Sequence, residues 1–539
     1  MLDRTLPAHP SLPQYRKQAK ELHAEAALGA PAALARIRRA HPKLRQAQDA
    51  QLQRISLADA QFVLAREHDF PSWAKFVSHI ETLRVIRAVE DLKDPLNVFL
   101  EEASVPVHGW HAAGTLEHAE LILARYGENM GHNIYRAAVL GDADAVRAEL
   151  VRDPSSATVK GGPHGWDALT YLCFSRYLRL DKTRSDDFVA AARVLLEGGA
   201  LANTGWMSTF GDPPHPEWES AIYGAAGLAQ HPGVTALLLE FGADPNDGET
   251  PYHVPETYDN TTMKVILDSG RFDAKSLACL AARKSDWHDE DGLLLALEHG
   301  ADPNFMTIWK HTPFHHAIRR DNGMIMIEMY LDHGADPLVR NNEFGRNAFQ
   351  MCAYCGRGDI LEAMEKRGMT FAFEGVDKLI ALCARGDMTA VRELDAREPE
   401  LRSQLLAMSG LLLVRYAGVG NLEGIRCLLA LGADPATRYM HVEGYWYLDA
   451  GSTALHNAAW RARHDVVQEL IAAGAPVNAL DDREHTPLMM AVKACVDSYW
   501  KQRRKPDSVA ALLAAGATTE GIDLPTGYDA IDELLERGS

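Results

Sequence analysis

The sequence predicts an all-α protein built from repeated pairs of helices and preceded by a small helical N-terminal domain. A Gly-Ala-Asp-Pro turn recurs along the chain, as at 242–245, 300–303 and 432–435. Each copy follows a segment whose leucines recur at helical spacing on one face. A Thr-Pro pair, as at 312–313, starts a second apolar segment 12 residues after the turn glycine. Each unit is therefore predicted to contain a turn, a short helix and a longer helix.

The N-terminal domain is predicted to span residues 1–108, and the repeats to span residues 109–539. Two of its segments, SLPQYRKQAKELHAEAAL and PAALARIRRAH, predict helices. Further on, Ser56 is placed to begin one helix and Ser72 to cap another. The aromatic side chain of Phe76 is expected in the core of this domain.

Local chemistry explains where the helices of each repeat begin and end. The turn glycine, as at Gly300, falls just past a helix end, where a left-handed backbone favours a residue without a β-carbon. Thr312 is placed to cap the next helix, and Pro313 takes the first helical position, where a missing N–H costs nothing. The small Ala317 lets neighbouring helices pack closely.

The segments TPFHHA and LLALGADP resemble the ankyrin repeat, whose period is about 33 residues. The turn glycines Gly300, Gly334 and Gly368 are spaced 34 residues apart, and weaker copies bring the number of units to ten or eleven. The resemblance implies a curved solenoid with short helices on its concave side and hairpin fingers at one edge. It also implies that His315 and His456 are structural struts.

The N-terminal segment, with its LADAQ and SWAKF helices, resembles one that precedes ankyrin repeats in some bacterial proteins. That likeness suggests a bacterial source and implies no catalytic role.

Composition excludes several classes of protein. No run of about 18 apolar residues is present, so no membrane span is predicted. Seven cysteines, an odd number, do not suggest a disulfide framework, and with no signal peptide the cytoplasm is expected. Residues 1–90 carry 14 Lys/Arg and 9 Asp/Glu, a net charge of +5. The rest of the chain therefore has a net charge of −24, and the two parts sum to −19. An acidic repeat array disfavours nucleic acid as a partner.

No motif for a metal, a cofactor or a catalytic nucleophile stands out. Cys352 and Cys355 have C-x-x-C spacing, but no second pair follows, so they are expected to pack in the core. Neither a cofactor nor a metal is predicted, and no catalytic residue is assigned. An enzyme is not the favoured interpretation, although histidines and carboxylates at finger positions could form an acid–base site.

Two fingers are longer than the others. The distance from the turn glycine to the next helix cap is 21 residues both from Gly199 to Ser220 and from Gly432 to Thr453. Their sequences, NTGWMSTFGDPPHPEWES and ATRYMHVEGYWYLDAGS, are rich in aromatic residues. Each finger either folds as a hairpin over its own small cluster or forms a wall of a groove for a partner. The candidate partner-binding residues are Trp206, Phe210, Trp218, Tyr223, Trp309, His311, Tyr445, Trp446 and Tyr447.

The sequence thus favours a scaffold that binds a protein or peptide in the concave groove, with the aromatic fingers as anchors. The alternative is a small-molecule or peptide pocket that the two long fingers close, with an unknown reaction if it is an enzyme. Two further insertions, SRYLRLDKTRSDD and DSYWKQRRKPDS, are expected to be solvated loops.

Overall fold

A computed structural model describes residues 6–7, 10–90, 92–211, 213–498 and 500–538, without the side chains of 84–88 and 538. The chain divides into two compact units, Met1–Ala221 and Ile222–Ser539. Among the residues described, no helix has the length and apolar character that crossing a bilayer requires. The protein is predominantly helical, as predicted.

The first unit contains twelve α-helices and one β-hairpin within its described residues. The helices are α1 (Leu12–Ala27), α2 (Pro31–Ala40), α3 (Asp49–Leu52), α4 (Leu57–Glu67), α5 (Trp73–Ala88), α6 (Pro95–Ala103), α7 (Glu117–Tyr126), α8 (Ile134–Leu140), α9 (Ala143–Arg152), α10 (Ala168–Cys173), α11 (Arg176–Leu180) and α12 (Ser185–Glu197). The hairpin strands are β1 (Gly205–Phe210) and β2 (His215–Ser220), and short 3-10 turns lie at Pro42–Leu44, Pro154–Ala157 and Lys182–Arg184.

The front of the first unit has a hydrophobic core of its own. It includes Tyr15, Leu22, Leu64 and the completely buried Phe76. Helix α4 begins as the sequence predicts, because the Ser56 hydroxyl accepts the amide N–H of Asp59. The boundary at residue 108 stays a prediction.

The second unit begins with a π-helical segment, Tyr223–Leu228, and continues as a series of helix pairs. Its helices are α13 (Pro232–Glu240), α14 (Glu249–His253), α15 (Thr261–Asp268), α16 (Ala274–Asp286), α17 (Glu290–Glu298), α18 (Pro313–Arg319), α19 (Met324–Asp332), α20 (Ala348–Cys355), α21 (Gly358–Lys366), α22 (Val376–Arg385), α23 (Met388–Arg397), α24 (Glu400–Leu406), α25 (Ser409–Val419), α26 (Leu422–Ala430), α27 (Ala454–Trp460), α28 (His464–Ala472), α29 (Pro487–Asp497), α30 (Asp507–Ala514) and α31 (Asp529–Gly538). Short 3-10 turns lie at Gly444–Trp446 and Lys501–Arg503.

The first helices of successive repeats stack on one another. Helix α16 packs on α18, α18 on α20 and α20 on α22, and farther along α25 packs on α27 and α27 on α29. The second helices of these repeats, such as α17 and α19, also contact each other. A single pair could not bury its apolar face alone, so stacking supplies the core.

The helix ends confirm the chemistry predicted from the turn sequences. Gly300 has φ +91°, and its N–H donates to the carbonyl of Leu297 while that of Ala301 donates to Ala296. These two bonds close the end of α17 in the arrangement that a glycine in the left-handed region permits. At the next helix, the Thr312 hydroxyl accepts the N–H of His315, with proline at the first helical position.

Candidate functional site

The first long finger is a β-hairpin with an exposed apolar face. Strands β1 and β2 pair antiparallel, and Met207 lies opposite Trp218 on the outer face. These side chains are 55% and 40% exposed, and Phe210 near the hairpin tip is 58% exposed. Large apolar side chains gain stability by burial, so three of them on one hairpin form an unusual exposed apolar surface.

The inner face of the same hairpin packs on the first unit. Trp206 is 8% exposed. The centre of its ring lies 5.1 Å from the ring centre of Trp166 and 5.9 Å from that of Phe174. On this side the Ser208 hydroxyl also lies 2.6 Å from a carboxylate oxygen of Glu219. The hairpin therefore has an inner face that holds it in place and an outer face open to solvent.

A cavity of about 410 Å³ lies beside the hairpin within the first unit. Trp166, Trp206 and Met207 line it, together with His164. Burial, with a smaller effect of Arg176, lowers the pKa of His164 to about 4, so this imidazole is neutral near pH 7. The cavity thus combines two indole rings with polar groups such as Lys160 and Ser208, and it is large enough for one or two side chains of a partner.

The second long finger folds onto helices of its own unit. The Tyr445 hydroxyl donates to the carbonyl of Asp286 at 3.1 Å and lies 3.1 Å from Nε2 of His288. The guanidinium of Arg320 lies 3.8 Å from the centre of the Tyr445 ring. Nearby, Glu443 accepts hydrogen bonds from Arg319 at the end of α18 and from Arg415 within α25.

Adjacent residues of this finger have opposite environments. Trp446 is completely buried, with the guanidinium groups of Arg415 and Arg461 at 5.0 and 4.6 Å from its ring. Tyr447 is 51% exposed and lies 4.9 Å from the ring of Trp460. The buried half fixes the finger, and only the exposed half is available to a partner.

A chain of hydrogen bonds joins two histidines to a carboxylate. Nε2 of His311 lies 2.7 Å from Nδ1 of His316, whose Nε2 lies 2.8 Å from Asp286. Burial lowers the pKa of His316. Burial, together with the nearby His316 and Arg319, lowers the pKa of His311 to about 3. Burial would raise the pKa of Asp286, but His316, Arg320 and Arg283 hold it well below its usual range. These hydrogen bonds tie the finger position at His311 to α18 and to the end of α16.

A second cluster surrounds Asp321, which follows α18. Its carboxylate accepts hydrogen bonds from Arg461 at 2.7 Å and Arg463 at 2.6 Å, and lies 3.4 Å from Arg357. The cluster lines a cavity of about 940 Å³ within the second unit. Trp500 also lines the cavity and is buried, with Arg461 at 4.2 Å from its ring.

Neither insertion is only a solvated loop. The first forms α11, where Arg176 is buried and donates to the carbonyl of Glu102. In the second insertion the indole of Trp500 is buried in the core. Burial of this large apolar ring stabilises the fold, whereas a loop surrounded by water would leave it exposed. Sequence reasoning also missed the arginine cluster, although arginines recur at the inter-helix turns as RRDNG, GRGD and RARHD.

The candidate partner-binding residues therefore divide by burial. The structure buries Trp206, Tyr223, His311 and Trp446, half-buries Trp309 and Tyr445, and exposes Phe210, Trp218 and Tyr447. Within the second unit it brings Trp309 and His311 together, with ring centres 6.4 Å apart.

One group of metal-ligand type occurs among the described residues. Asp449, Asp481 and His485 place ligand atoms within 4.8 Å of one another. Arg483 pairs with Asp449 at 2.9 Å, and Asp481 accepts the backbone N–H of Arg483 and of His485. The protein itself satisfies these groups, so their arrangement does not require an ion.

The stacked helix pairs and their capped turns define a helical repeat protein. The sequence model of the ankyrin repeat matches residues 309–342 and 450–482, which span the fingers and helix starts described above. The chain thus contains ankyrin repeats at these two places.

Among solved structures, the human ASB11 ankyrin repeat domain is 20% identical to this chain, and the match covers 40% of this chain and 89% of that one. The TM-score of this match is 0.30. The chain has no match among curated proteins.

Proposed function

We propose that this protein is a recognition scaffold that binds a protein or an extended peptide through the exposed apolar residues of its first long finger. The observation that carries the proposal is the exposed set Met207, Phe210 and Trp218 beside a 410 Å³ cavity that two tryptophans line. Ankyrin repeats generally serve as protein–protein interaction scaffolds. Tryptophan and other aromatic side chains supply much of the binding energy at such surfaces.

The chemistry of the surface describes the partner. An apolar anchor side chain of the partner would enter the cavity beside Trp166 and Trp206, while the hairpin face covers the neighbouring residues. The net charge of −19 favours a partner with basic residues around that anchor, because complementary charge accelerates association. A nucleic acid does not fit this charge.

The second finger contributes less to this function. Trp446 and most of the Tyr445 side chain pack inside the second unit. Tyr447 and the half-buried Trp309 remain there as candidate contacts with a partner. We also propose a cytoplasmic location and a bacterial source. The location is supported by the seven cysteines, all of which are free thiols.

Partner capture from a cytosolic extract tests the proposal. The variant Met207→Thr, Phe210→Thr, Trp218→Thr removes these exposed apolar side chains and keeps residues that suit a strand. The matched control is Phe344→Ser, Leu338→Ser, which removes exposed apolar residues of the second unit that are not among the candidate contacts. Both variants should melt like the unaltered protein, because the changed side chains are largely in solvent.

We expect a protein that the unaltered chain and the control retain and the hairpin variant loses. Equal retention by all three would contradict a role for the hairpin. Capture of nothing by the unaltered protein would contradict the scaffold function itself.

A further inference from the structure

The 940 Å³ cavity of the second unit lies where several second helices of the repeats begin. Its lining includes Gly323, Arg357 and Arg463, the residues that precede α19, α21 and α28. None of these three helix starts has a side-chain cap. The first N–H groups of a helix need acceptors, and its N-terminus carries partial positive charge. Three uncapped N-termini at one cavity therefore favour an anion.

The arginines of the same cavity exceed the carboxylates buried with them. Three guanidinium groups, those of Arg357, Arg461 and Arg463, meet the single buried carboxylate of Asp321. The nearest other carboxylate in contact is Asp359, whose side chain is 49% exposed and which pairs with Arg357. Among the described residues, at least one positive charge of the cluster is thus left without a carboxylate, which is costly away from water.

Arg461 is the clearest case. Its side chain is completely buried, and its Nε and Nη1 atoms have no hydrogen-bond partner among the described residues. The indole rings of Trp446 and Trp500 lie on the guanidinium at 4.6 and 4.2 Å, and hold it at the cavity. Burial, followed by the charges of neighbouring arginines, lowers the pKa of Arg463 to about 10 despite Asp321, as expected where positive charge accumulates.

We propose that this cavity binds the phosphate group of a small phosphorylated molecule. Guanidinium groups match phosphate oxygens in geometry, and helix N-termini supply further N–H donors. The volume lies within the range of about 300–1,000 Å³ that small-molecule sites occupy.

Carboxylates at the rim narrow the class of ligand. Glu362, Glu365 and Glu423 line the cavity and are largely exposed. They would repel a molecule with many phosphates and attract a positive group on the part of the ligand that faces solvent. The expected ligand has one phosphate and a neutral or cationic body.

Titration calorimetry of the full chain with O-phosphoethanolamine and with inorganic phosphate tests this inference. O-Phosphoethanolamine has the predicted phosphate and cationic body, so we expect it to bind, and to bind more tightly than inorganic phosphate. Inositol hexakisphosphate, a polyanion, should bind more weakly than either.

The variant Gly323→Asp places a carboxylate in the cavity with little risk to folding. Gly323 has φ −63°, a β-carbon there would meet no atom within 4 Å, and aspartate is a preferred helix cap. Affinity for O-phosphoethanolamine should fall at least about tenfold, a loss of about 1.4 kcal/mol. Arg463→Gln should weaken binding to a similar extent.

Ala30→Asp is the matched control, because Ala30 precedes α2, which also lacks a side-chain cap, and does not line the cavity. It should bind like the unaltered protein. Absence of heat with both phosphate probes, or equal binding by Gly323→Asp, would overturn the site. Tighter binding of inositol hexakisphosphate would overturn the ligand class.

Discussion

At the scale of single residues, burial separates structural from accessible aromatics more sharply than residue type does. Trp446 and Tyr447 are neighbours in a stretch that the sequence marks as uniformly aromatic. Tyr447 has φ +51°, in the left-handed region. This local backbone geometry cannot be inferred from aromatic content. The sequence therefore predicted the position of the finger and could not predict which of its rings would be buried.

Replacing Trp446 with alanine should destabilise the second unit strongly. The change leaves a cavity and removes the aromatic face under the buried Arg461, so a loss of about 3–5 kcal/mol in unfolding free energy is expected. Tyr447→Ala should cost at most about 1 kcal/mol, because half of that side chain is exposed. Urea denaturation of the two variants measures the difference, and equal losses would contradict the assigned environments.

At the scale of elements, the helix pairs were predictable and the docking of the second finger was not. The turn glycines, threonine caps and leucine spacing act within a few residues of one another, so the sequence shows them directly. Tyr445, in contrast, contacts Asp286 across 159 positions of the chain. Such a contact depends on how several repeats stack, and no local pattern encodes it. The arginine cluster around Asp321 was not predicted for the same reason, because it joins residues of distant repeats.

The histidine relay between the finger position at His311 and helix α18 should make the protein sensitive to acid. The pKa of His311 is lowered to about 3 by burial first and by neighbouring charges second. In the unfolded chain it returns to about 6.5, so acid protonates the unfolded state first and stability falls as the pH drops from 6.5 toward 3. At pH 5 this one group would cost about 2 kcal/mol relative to pH 7.

His311→Gln removes the titration and should flatten the loss of stability between pH 7 and pH 5. Urea denaturation at the two pH values measures it, with His333→Gln at an exposed position as the control. Parallel pH dependence in all three proteins would show that His311 does not titrate as the structure implies.

At the scale of the whole molecule, the second unit departs from the simplest behaviour of repeat proteins. An array whose repeats contact only their neighbours has a stability close to a sum of local terms. Here Asp321 bonds to Arg461 across 140 positions, and Tyr445 reaches farther still. These long-range contacts join early and late repeats of Ile222–Ser539, so the unit should unfold more cooperatively than a simple array.

Asp321→Asn tests this cooperativity. The change removes the carboxylate on which three guanidinium groups converge, so a loss of about 3–5 kcal/mol is expected for breaking a buried ion pair. The dependence of unfolding free energy on urea should also become shallower, because repeats no longer tied across the unit begin to unfold separately. Asp359→Asn is the matched control, since the ion pair of Asp359 is with the nearby Arg357 and its side chain is half exposed. Tryptophan fluorescence during urea denaturation follows both variants. A loss of stability in Asp321→Asn with an unchanged urea slope would mean that the cluster stabilises its own repeats without coupling them.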